Sequence, residues 1–477
     1  MLRTAGGRRA RLPRAGRLVV CADAGVRGHH HAHRDDAAAS GRFGQDHPMA
    51  GHAQLRAATA DRCRGLPVPV GAGRQRWAAA GRRTASRAGG NRGRGGLIRP
   101  KCTDGVAVTT ADRRYFHGLD LIRVLAAITV IYTHSSAWFT VNGHHWWLST
   151  WVDRYVVAPL GLTTRLSFVP VALFFVISGL VITYVAHRET GPQFVRRRMA
   201  RIIPLLVLAS LAAWLLTNLG LFEPFSGQQR LDMFDLLAGV TLVGFFTTPE
   251  VILLGLAWTL LVQIVFYVYI AVTIPLLRRH AWMPFALAAA IVFAVLALTS
   301  GSDGIAAYRT GVIAAYSTVL CIGALIGLAF HRKIHPATAT LLGTVHFLLF
   351  VWADRIGGIL PLEAEHPRTV ALAVGLVVLV LTARDRLSRS RLVTSWASRT
   401  YTVYLVHPLC LYPVLDALVP VVGKHAALLA ALVVLLAVTE ALHRWFEMPI
   451  ARWFRSRDRR APADTVAAGP DVRGPRR

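Results

Sequence analysis

The chain has 477 residues and a formal net charge of +29, and 54% of its residues are hydrophobic, which gives a mean hydropathy of +0.43. Apolar runs close to the ~20 residues that cross a bilayer recur between residues 118 and 446. This composition excludes a water-soluble globular protein and predicts an all-α polytopic membrane protein.

The chain begins with an arginine-, glycine- and alanine-rich segment, residues 1–110, that has neither a helical nor a strand pattern. Its first hundred residues contain 20 arginines and five aspartates but no lysine or glutamate. Such a segment buries too little apolar surface to offset the entropy of ordering, so we predict that it is disordered. A basic arm for nucleic acid or anionic lipid is one interpretation. A start assigned too early in the GC-rich DNA of a bacterium explains the composition better.

The first hundred residues carry about half of the net charge, and the rest of the chain carries +14 from 34 basic and 20 acidic residues. These basic residues cluster beside the apolar runs, so we expect no nucleic-acid partner. The five cysteines show neither metal-ligand nor disulfide spacing, and we expect no metal site.

Ten apolar segments are predicted to cross the bilayer as helices. They lie at about residues 118–140, 168–187, 200–220, 251–277, 282–300, 311–330, 338–353, 368–383, 401–422 and 426–446. A further apolar segment, residues 231–249, is bounded by aspartates and a proline, so its pattern alone is ambiguous.

The basic clusters indicate the topology. They lie at residues 113–114, 196–201, 278–279, 332–333, 384–391 and 452–460. All six face the cytoplasm if residues 231–249 do not cross, whereas three face outside if that segment crosses. We therefore predict about ten transmembrane helices, with both termini cytoplasmic and residues 231–249 re-entrant or at the outer surface. Residues 111–455 then form the membrane domain, and residues 456–477 form a basic, disordered tail.

The first predicted helix carries three ionisable residues. Arg123 and His134 are eleven residues apart, which is nearly three helical turns, so they share a face about 16 Å apart along the axis. Asp120 lies near the same stripe. Ionisable groups within a span are costly and by default indicate a functional site. An equally good interpretation is an interfacial Asp120–Arg123 pair and a structural His134.

Four further motifs follow in the sequence. Ser178 and Gly179 are small residues in the middle of a span and suit close helix packing. Arg198 and Arg201 share a helix face at a predicted cytoplasmic mouth, where two guanidinium groups suit phosphate; a plain topology signal is the alternative. The last two motifs are the segments Trp258-Thr-Leu-Leu-Val-Gln263-Ile-Val-Phe-Tyr267 and Tyr401-Thr-Val-Tyr404-Leu-Val-His407.

Taken in this order, the motifs resemble those of the membrane acyltransferase type 3 family over roughly residues 113–455. Members transfer acyl groups, commonly acetyl, from acyl-CoA to hydroxyl groups of sugars, glycans, lipids or antibiotics. Two residues depart from the family pattern. Gln263 stands where the family usually has glutamate, and Leu121 stands where it has glycine. Glutamine forms hydrogen bonds but is neither a base nor a counter-charge.

The resemblance implies roles for nine residues. His134 would be the general base, and Asp120 would hold the guanidinium group of Arg123 in place. Gln263 would take the position of the family's glutamate, which either serves the chemistry or orients its neighbours. Arg123, Arg198 and Arg201 would hold the phosphates of acyl-CoA. Substrate contacts are expected from Trp258, Tyr267 and His407, the last of which is equally well a structural residue.

The predicted partners are the lipid bilayer, acyl-CoA as the donor and a hydroxyl-bearing acceptor, at the plasma membrane. Aromatic residues in the predicted outer loop, residues 141–167, form an interfacial belt or, alternatively, the mouth for an acceptor sugar. Two other function classes remain. One is a catalytically impaired membrane scaffold, which Gln263 favours, and the other is a transporter, for which we find no internal repeat.

Overall fold

The computed structural model describes residues 117–224, 227–302, 304–355, 365–383 and 390–460. These residues form helices and loops, and no strand occurs among them, which confirms the predicted all-α class. The predicted disordered segment, residues 1–110, and residues 461–477 of the predicted tail lie outside the described residues.

The helices follow the apolar pattern of the sequence. In chain order they are α1 (His117–Val141), α2 (Trp147–Val152), α3 (Val169–Ala186), α4 (Gly191–Asn218), α5 (Met233–Thr241), α6 (Trp258–Arg279), α7 (Met283–Thr299), α8 (Ile305–Phe330), α9 (Pro336–Arg355), α10 (His366–Thr382), α11 (Arg391–Ala397), α12 (Thr400–Val422), α13 (Lys424–Leu442) and α14 (Met448–Arg460). Each of the ten predicted crossings coincides with one of these helices.

Seven helices in the described ranges are long and apolar enough to cross a membrane: Gly118–Val141, Gly191–Asn218, Gly255–Arg279, Ile305–Phe330, Pro336–Arg355, Thr400–Val422 and Lys424–Phe454. Three shorter apolar stretches of helix contain 10–17 residues each: Val169–Thr183, which is the first part of α3, Met283–Thr299 and His366–Thr382. The chain is therefore a multi-pass membrane protein, while ten crossings and cytoplasmic termini stay predictions.

The ambiguous segment, residues 231–249, contains only the short helix α5. Its nine residues extend ~14 Å at the usual helical rise. This is about half of the ~30 Å hydrocarbon core, so α5 is too short to cross the bilayer. The charge pattern of the sequence leads to the same conclusion.

Helices α3 and α8 approach each other closely enough for their backbones to touch. A Cβ atom on Gly179 would lie 1.9 Å from the carbonyl oxygen of Leu320, and one on Gly323 would lie 2.0 Å from that of Val176. Both positions therefore require glycine. The close packing predicted for this part of α3 is confirmed.

The chain leaves α13 through a π-helical turn, His443–Glu447, and continues as α14. Glu447 anchors the turn because its Oε2 accepts hydrogen bonds from the Thr402 hydroxyl at 3.0 Å and from His443 Nδ1 at 2.8 Å. Helix α14 packs against α4 and extends to Arg460. The boundary that we predicted at residue 456, between the membrane domain and the tail, thus falls inside α14. Apolar residues spaced by four give this basic segment one side that packs against α4.

Candidate active site

A cavity of about 120 Å³ lies inside the bundle, near the end at which α1, α4 and α12 begin. Five of the nine predicted site residues line it: Arg123, Arg198, Arg201, Gln263 and Tyr267. Hydroxyl groups on the wall come from Ser178, Thr259, Thr400, Tyr401 and Tyr404, and the remaining lining residues are apolar. We call this space the arginine cavity.

Arg123 enters the arginine cavity from α1 and is held by a carboxylate one turn earlier. Its Nη1 lies 3.1 Å from Oδ1 of Asp120, which is only 2% exposed. A buried carboxylate needs such a partner, and in return it fixes the direction of the guanidinium group. The predicted Asp120–Arg123 pair is therefore present.

Arg198 and Arg201 lie one turn apart on α4, and neither has a hydrogen-bond or ion-pair partner in the described part of the chain. The Nε atom of Arg198 is buried, and its guanidinium group lies 5.3 Å from the centre of the Phe194 ring. Their neighbour Arg197, in contrast, binds Glu189 at 2.6 Å. Two such guanidinium groups facing a cavity favour an anionic ligand.

Gln263 and Tyr267 lie one turn apart on α6 and contact each other. The Tyr267 hydroxyl donates to Gln263 Oε1 at 3.4 Å, a long hydrogen bond. Gln263 also lines the arginine cavity, and its amide carries two N–H donors besides the oxygen that accepts this bond.

His134 lies deeper in the bundle and does not line the arginine cavity. Its Nδ1 is 2.8 Å from the Tyr412 hydroxyl, and its ring lies edge to face with that of His407, with ring centroids 4.7 Å apart. The structure thus places two predicted site residues, from α1 and α12, side by side.

A proline fixes the tautomer of His407. Pro408 has no N–H, so it leaves the carbonyl of Tyr404, four residues earlier, without its helical partner. Nδ1 of His407 donates to this carbonyl at 2.8 Å. Its Nε2 therefore carries a lone pair, and that atom is buried without a hydrogen-bond partner among the described residues.

Tyr404 joins the arginine cavity to the histidine pair. Its ring lines the cavity, and its hydroxyl lies 2.8 Å from the Thr259 hydroxyl of α6. Its backbone carbonyl accepts the bond from His407, and the two rings are 6.3 Å apart. The histidine pair thus lies about one helical turn beyond the cavity wall.

Residues 116–444, more than half of the chain, match the family described as the acyltransferase domain. The chain belongs to this acyltransferase family. It is also 25% identical over 331 residues to nodulation protein 10 of Rhizobium leguminosarum bv. viciae, an alignment that covers 62% of this chain and 83% of that protein. No solved structure matches the chain. The resemblance drawn from the motifs is confirmed, and the protein is a membrane acyltransferase.

Trp258 does not lie with the other predicted residues of this acyltransferase. It packs against Tyr316 and Phe175, with ring centroids 4.8 Å and 6.1 Å apart. It lines a different, small cavity of about 20 Å³ beside Arg309. The position of Trp258 indicates packing between α6 and α8, and substrate contact by this residue is left as an untested prediction.

Sequence reasoning missed several residues of the acyltransferase site. Tyr404 and Thr259 lie inside the quoted motifs, so their spacing could have singled them out. Tyr412 had no such signal, because its contact with His134 depends on how α1 packs against α12. No group of three or more His, Cys, Asp or Glu residues that could hold a metal ion occurs in the described ranges.

Proposed function

We propose that this acyltransferase moves an acyl group, most simply acetyl, from acyl-CoA to a hydroxyl group of a sugar, glycan, lipid or secondary metabolite at the plasma membrane. The observation that carries the proposal is the pair Arg198 and Arg201, which face the arginine cavity without a hydrogen-bond or ion-pair partner among the described residues. CoA carries a pyrophosphate and a 3′-phosphate, and guanidinium forks bind phosphate groups. Arg123, oriented by Asp120, adds a third cation.

The donor would enter from the cytoplasmic side with its phosphates at these arginines. Its narrow pantetheine arm would extend past Tyr404 toward His134. Arg123 and His134 are eleven residues apart on α1, about 16 Å along the helix, which an extended pantetheine arm can span. The thioester would then lie beside the histidine pair.

His134 would act as the general base. It takes the proton of the acceptor hydroxyl while that oxygen attacks the thioester carbon. The tetrahedral intermediate collapses, the C–S bond breaks, and the CoA thiolate takes the proton back from His134. The Nε2 lone pair of His407 lies in the adjoining ring and would stabilise the positive charge that develops on His134.

Gln263 would donate to the acyl carbonyl rather than accept a proton. The residue lines the cavity, and its amide carries two N–H donors besides the oxygen that accepts from Tyr267. A positioned donor of this kind stabilises the oxyanion of the intermediate. This role needs no charge, so glutamine would satisfy it.

The acceptor would approach from the opposite side of His134. One turn further along α1, Trp138 stacks on His144 with ring centroids 5.8 Å apart. The Trp138 Nε1 also donates to Asp416 of α12 at 3.2 Å. An aromatic face beside a carboxylate suits an acceptor rich in hydroxyl groups.

The experiment that tests the proposal is release of free CoA thiol from acetyl-CoA by the protein in membranes, across candidate hydroxyl acceptors. Release that rises with an acceptor, together with acylated acceptor detected by mass spectrometry, supports transfer. Binding of acetyl-CoA without release of CoA thiol, across all acceptors, would favour the catalytically impaired scaffold. The observation that supports this alternative is Gln263, which stands where the family usually has glutamate. Movement of an acceptor across the membrane without acylation would favour a transporter.

A further inference from the structure

A second, larger space adjoins the arginine cavity. It is a groove of about 670 Å³ between α4 and the segment that runs from the π-helical turn into α14. Arg198 and Arg201 line both spaces, so the groove and the arginine cavity meet at these two guanidinium groups. We call it the C-terminal groove.

The two walls of the C-terminal groove differ in charge. Helix α4 contributes Arg197, Arg198 and Arg201. The opposite wall carries the half-buried apolar side chains of Phe446, Ile450 and Phe454, together with Glu447. A ligand with phosphates along one edge and a flat aromatic ring on the other fits this division, because the carboxylate repels phosphate from the second wall.

The C-terminal wall presents three apolar side chains on one side. Phe446, Ile450 and Phe454 are spaced by four residues, so they face the same way, toward α4. Glu447 lies between them, and its Oε2 is tied to Thr402 and His443. These two bonds hold the turn from which α14 continues.

We propose that the C-terminal groove binds the nucleotide end of acyl-CoA, adenosine 3′,5′-bisphosphate. The proposal rests on acyl-CoA being the donor. Drug-sized ligands occupy spaces of about 300–1,000 Å³, a range that includes the groove at about 670 Å³ but not the arginine cavity at about 120 Å³. The adenine ring packs against Phe446 and Phe454, the pyrophosphate lies at Arg198 and Arg201, and pantetheine enters the narrow cavity.

The main competing occupant is a lipid chain, because the second wall is apolar. A lipid tail explains Phe446, Ile450 and Phe454 but leaves Arg198 and Arg201, which have no ion-pair partner among the described residues, facing hydrocarbon. Desolvated guanidinium groups are costly beside hydrocarbon, whereas nucleotide phosphates neutralise them.

The test compares two donors, acetyl-CoA and acetyl-pantetheine, which lacks the nucleotide. Ile450→Trp and, on the facing wall, Ala200→Trp each fill the groove. We expect the ratio of kcat/KM for acetyl-CoA to that for acetyl-pantetheine to fall at least tenfold in either variant. Arg452→Ala, an exposed position of α14 outside the groove, is the control and should keep the wild-type ratio. A ratio within twofold of wild type in both tryptophan variants, or an altered acceptor KM instead, would overturn the proposal.

Equilibrium binding separates this assignment from the proposed function. Adenosine 3′,5′-bisphosphate alone should bind the purified wild-type protein, and acetyl-CoA should displace it. Ile450→Trp should weaken this binding at least tenfold, whereas Arg452→Ala should not change it. If the nucleotide binds with this pattern but the protein transfers no acetyl group, the nucleotide site in the groove is supported and the proposed acyl transfer is rejected. If the protein transfers acetyl from acetyl-CoA but does not bind the nucleotide, only the assignment of the groove is rejected.

Discussion

The imidazole rings of His134 and His407 lie edge to face with their centroids 4.7 Å apart, although they belong to α1 and α12. Each ring is oriented by a second contact: Nδ1 of His134 with the Tyr412 hydroxyl, and Nδ1 of His407 with the Tyr404 carbonyl. The pair connects the first and one of the last helices of the bundle, so its chemistry depends on how the whole domain packs.

The first prediction concerns Pro408. Pro408→Ala restores a backbone N–H that competes with His407 for the carbonyl of Tyr404. His407 then loses its fixed tautomer, and we expect kcat to fall about 3- to 10-fold, the worth of one neutral hydrogen bond. The KM for acyl-CoA should stay within twofold, because the arginine cavity is untouched.

Pro420→Ala, near the end of the same helix, is the control for Pro408→Ala. It removes a proline from α12 without a histidine beside it. Equal losses of kcat in the two variants would mean that proline shapes the helix and that the tautomer of His407 has no effect on turnover.

The second prediction concerns the phosphate site. Arg198→Ala and Arg201→Ala should each raise the KM for acyl-CoA about 10- to 100-fold, since a hydrogen bond to a charged group is worth about 1.5–3 kcal/mol. Arg196→Ala, exposed on the same helix and outside both the cavity and the groove, should change KM by less than twofold. Steady-state kinetics with acetyl-CoA provide the measurement. If these variants raise only the KM for the acceptor, Arg198 and Arg201 do not bind the phosphates of acyl-CoA.

The third prediction concerns Gln263. Gln263→Glu replaces amide donors with an acceptor-only carboxylate, so we expect kcat to fall about 10-fold or more, as for loss of an oxyanion donor. The companion variant Tyr267→Phe removes the bond that orients the amide and should have a smaller effect. An increase in kcat for Gln263→Glu would instead identify the wild-type protein as an impaired relative that lacks a catalytic acid.

The fourth prediction concerns the contact between α3 and α8. Gly323→Ala places a Cβ atom 2.0 Å from the carbonyl oxygen of Val176, so the helices must separate. Forced overpacking costs about 1–3 kcal/mol or more, and we expect a lower Tm and less monodisperse protein in detergent.

Gly375→Ala in α10 is the matched control, because nothing lies within 4 Å of the added Cβ atom. Alanine also favours a helix over glycine by about 1 kcal/mol, so this variant should match or exceed wild-type stability. Thermal unfolding followed by size-exclusion chromatography compares the two. Equal stability of Gly323→Ala and Gly375→Ala would show that α3 and α8 do not pack through glycine.

Local spacing predicted what lies along one helix. The apolar runs predicted ten helices, of which seven are long enough to cross a membrane, and three-residue spacing placed Asp120 with Arg123 and Arg198 with Arg201. The same geometry argues against grouping Trp258 with Gln263, because five residues turn a helix by about 140° beyond one full turn and so present different faces.

Contacts between distant segments could not be predicted from spacing. The bond between His134 and Tyr412 and the edge-to-face contact with His407 arise only when α1 packs on α12. The C-terminal groove depends on a π-helical turn, which has no reliable sequence pattern, and on a helix that continues past the predicted boundary at residue 456.

The most direct test of the central claim is acceptor-dependent release of CoA thiol from acetyl-CoA by the purified wild type and by His134→Ala, with acetyl-CoA binding measured in both. We predict that the variant binds acetyl-CoA within twofold of wild type and loses at least about 100-fold in kcat, the lower end of the contribution of a general base. Undiminished transfer by a folded, acetyl-CoA-binding His134→Ala protein would contradict the account.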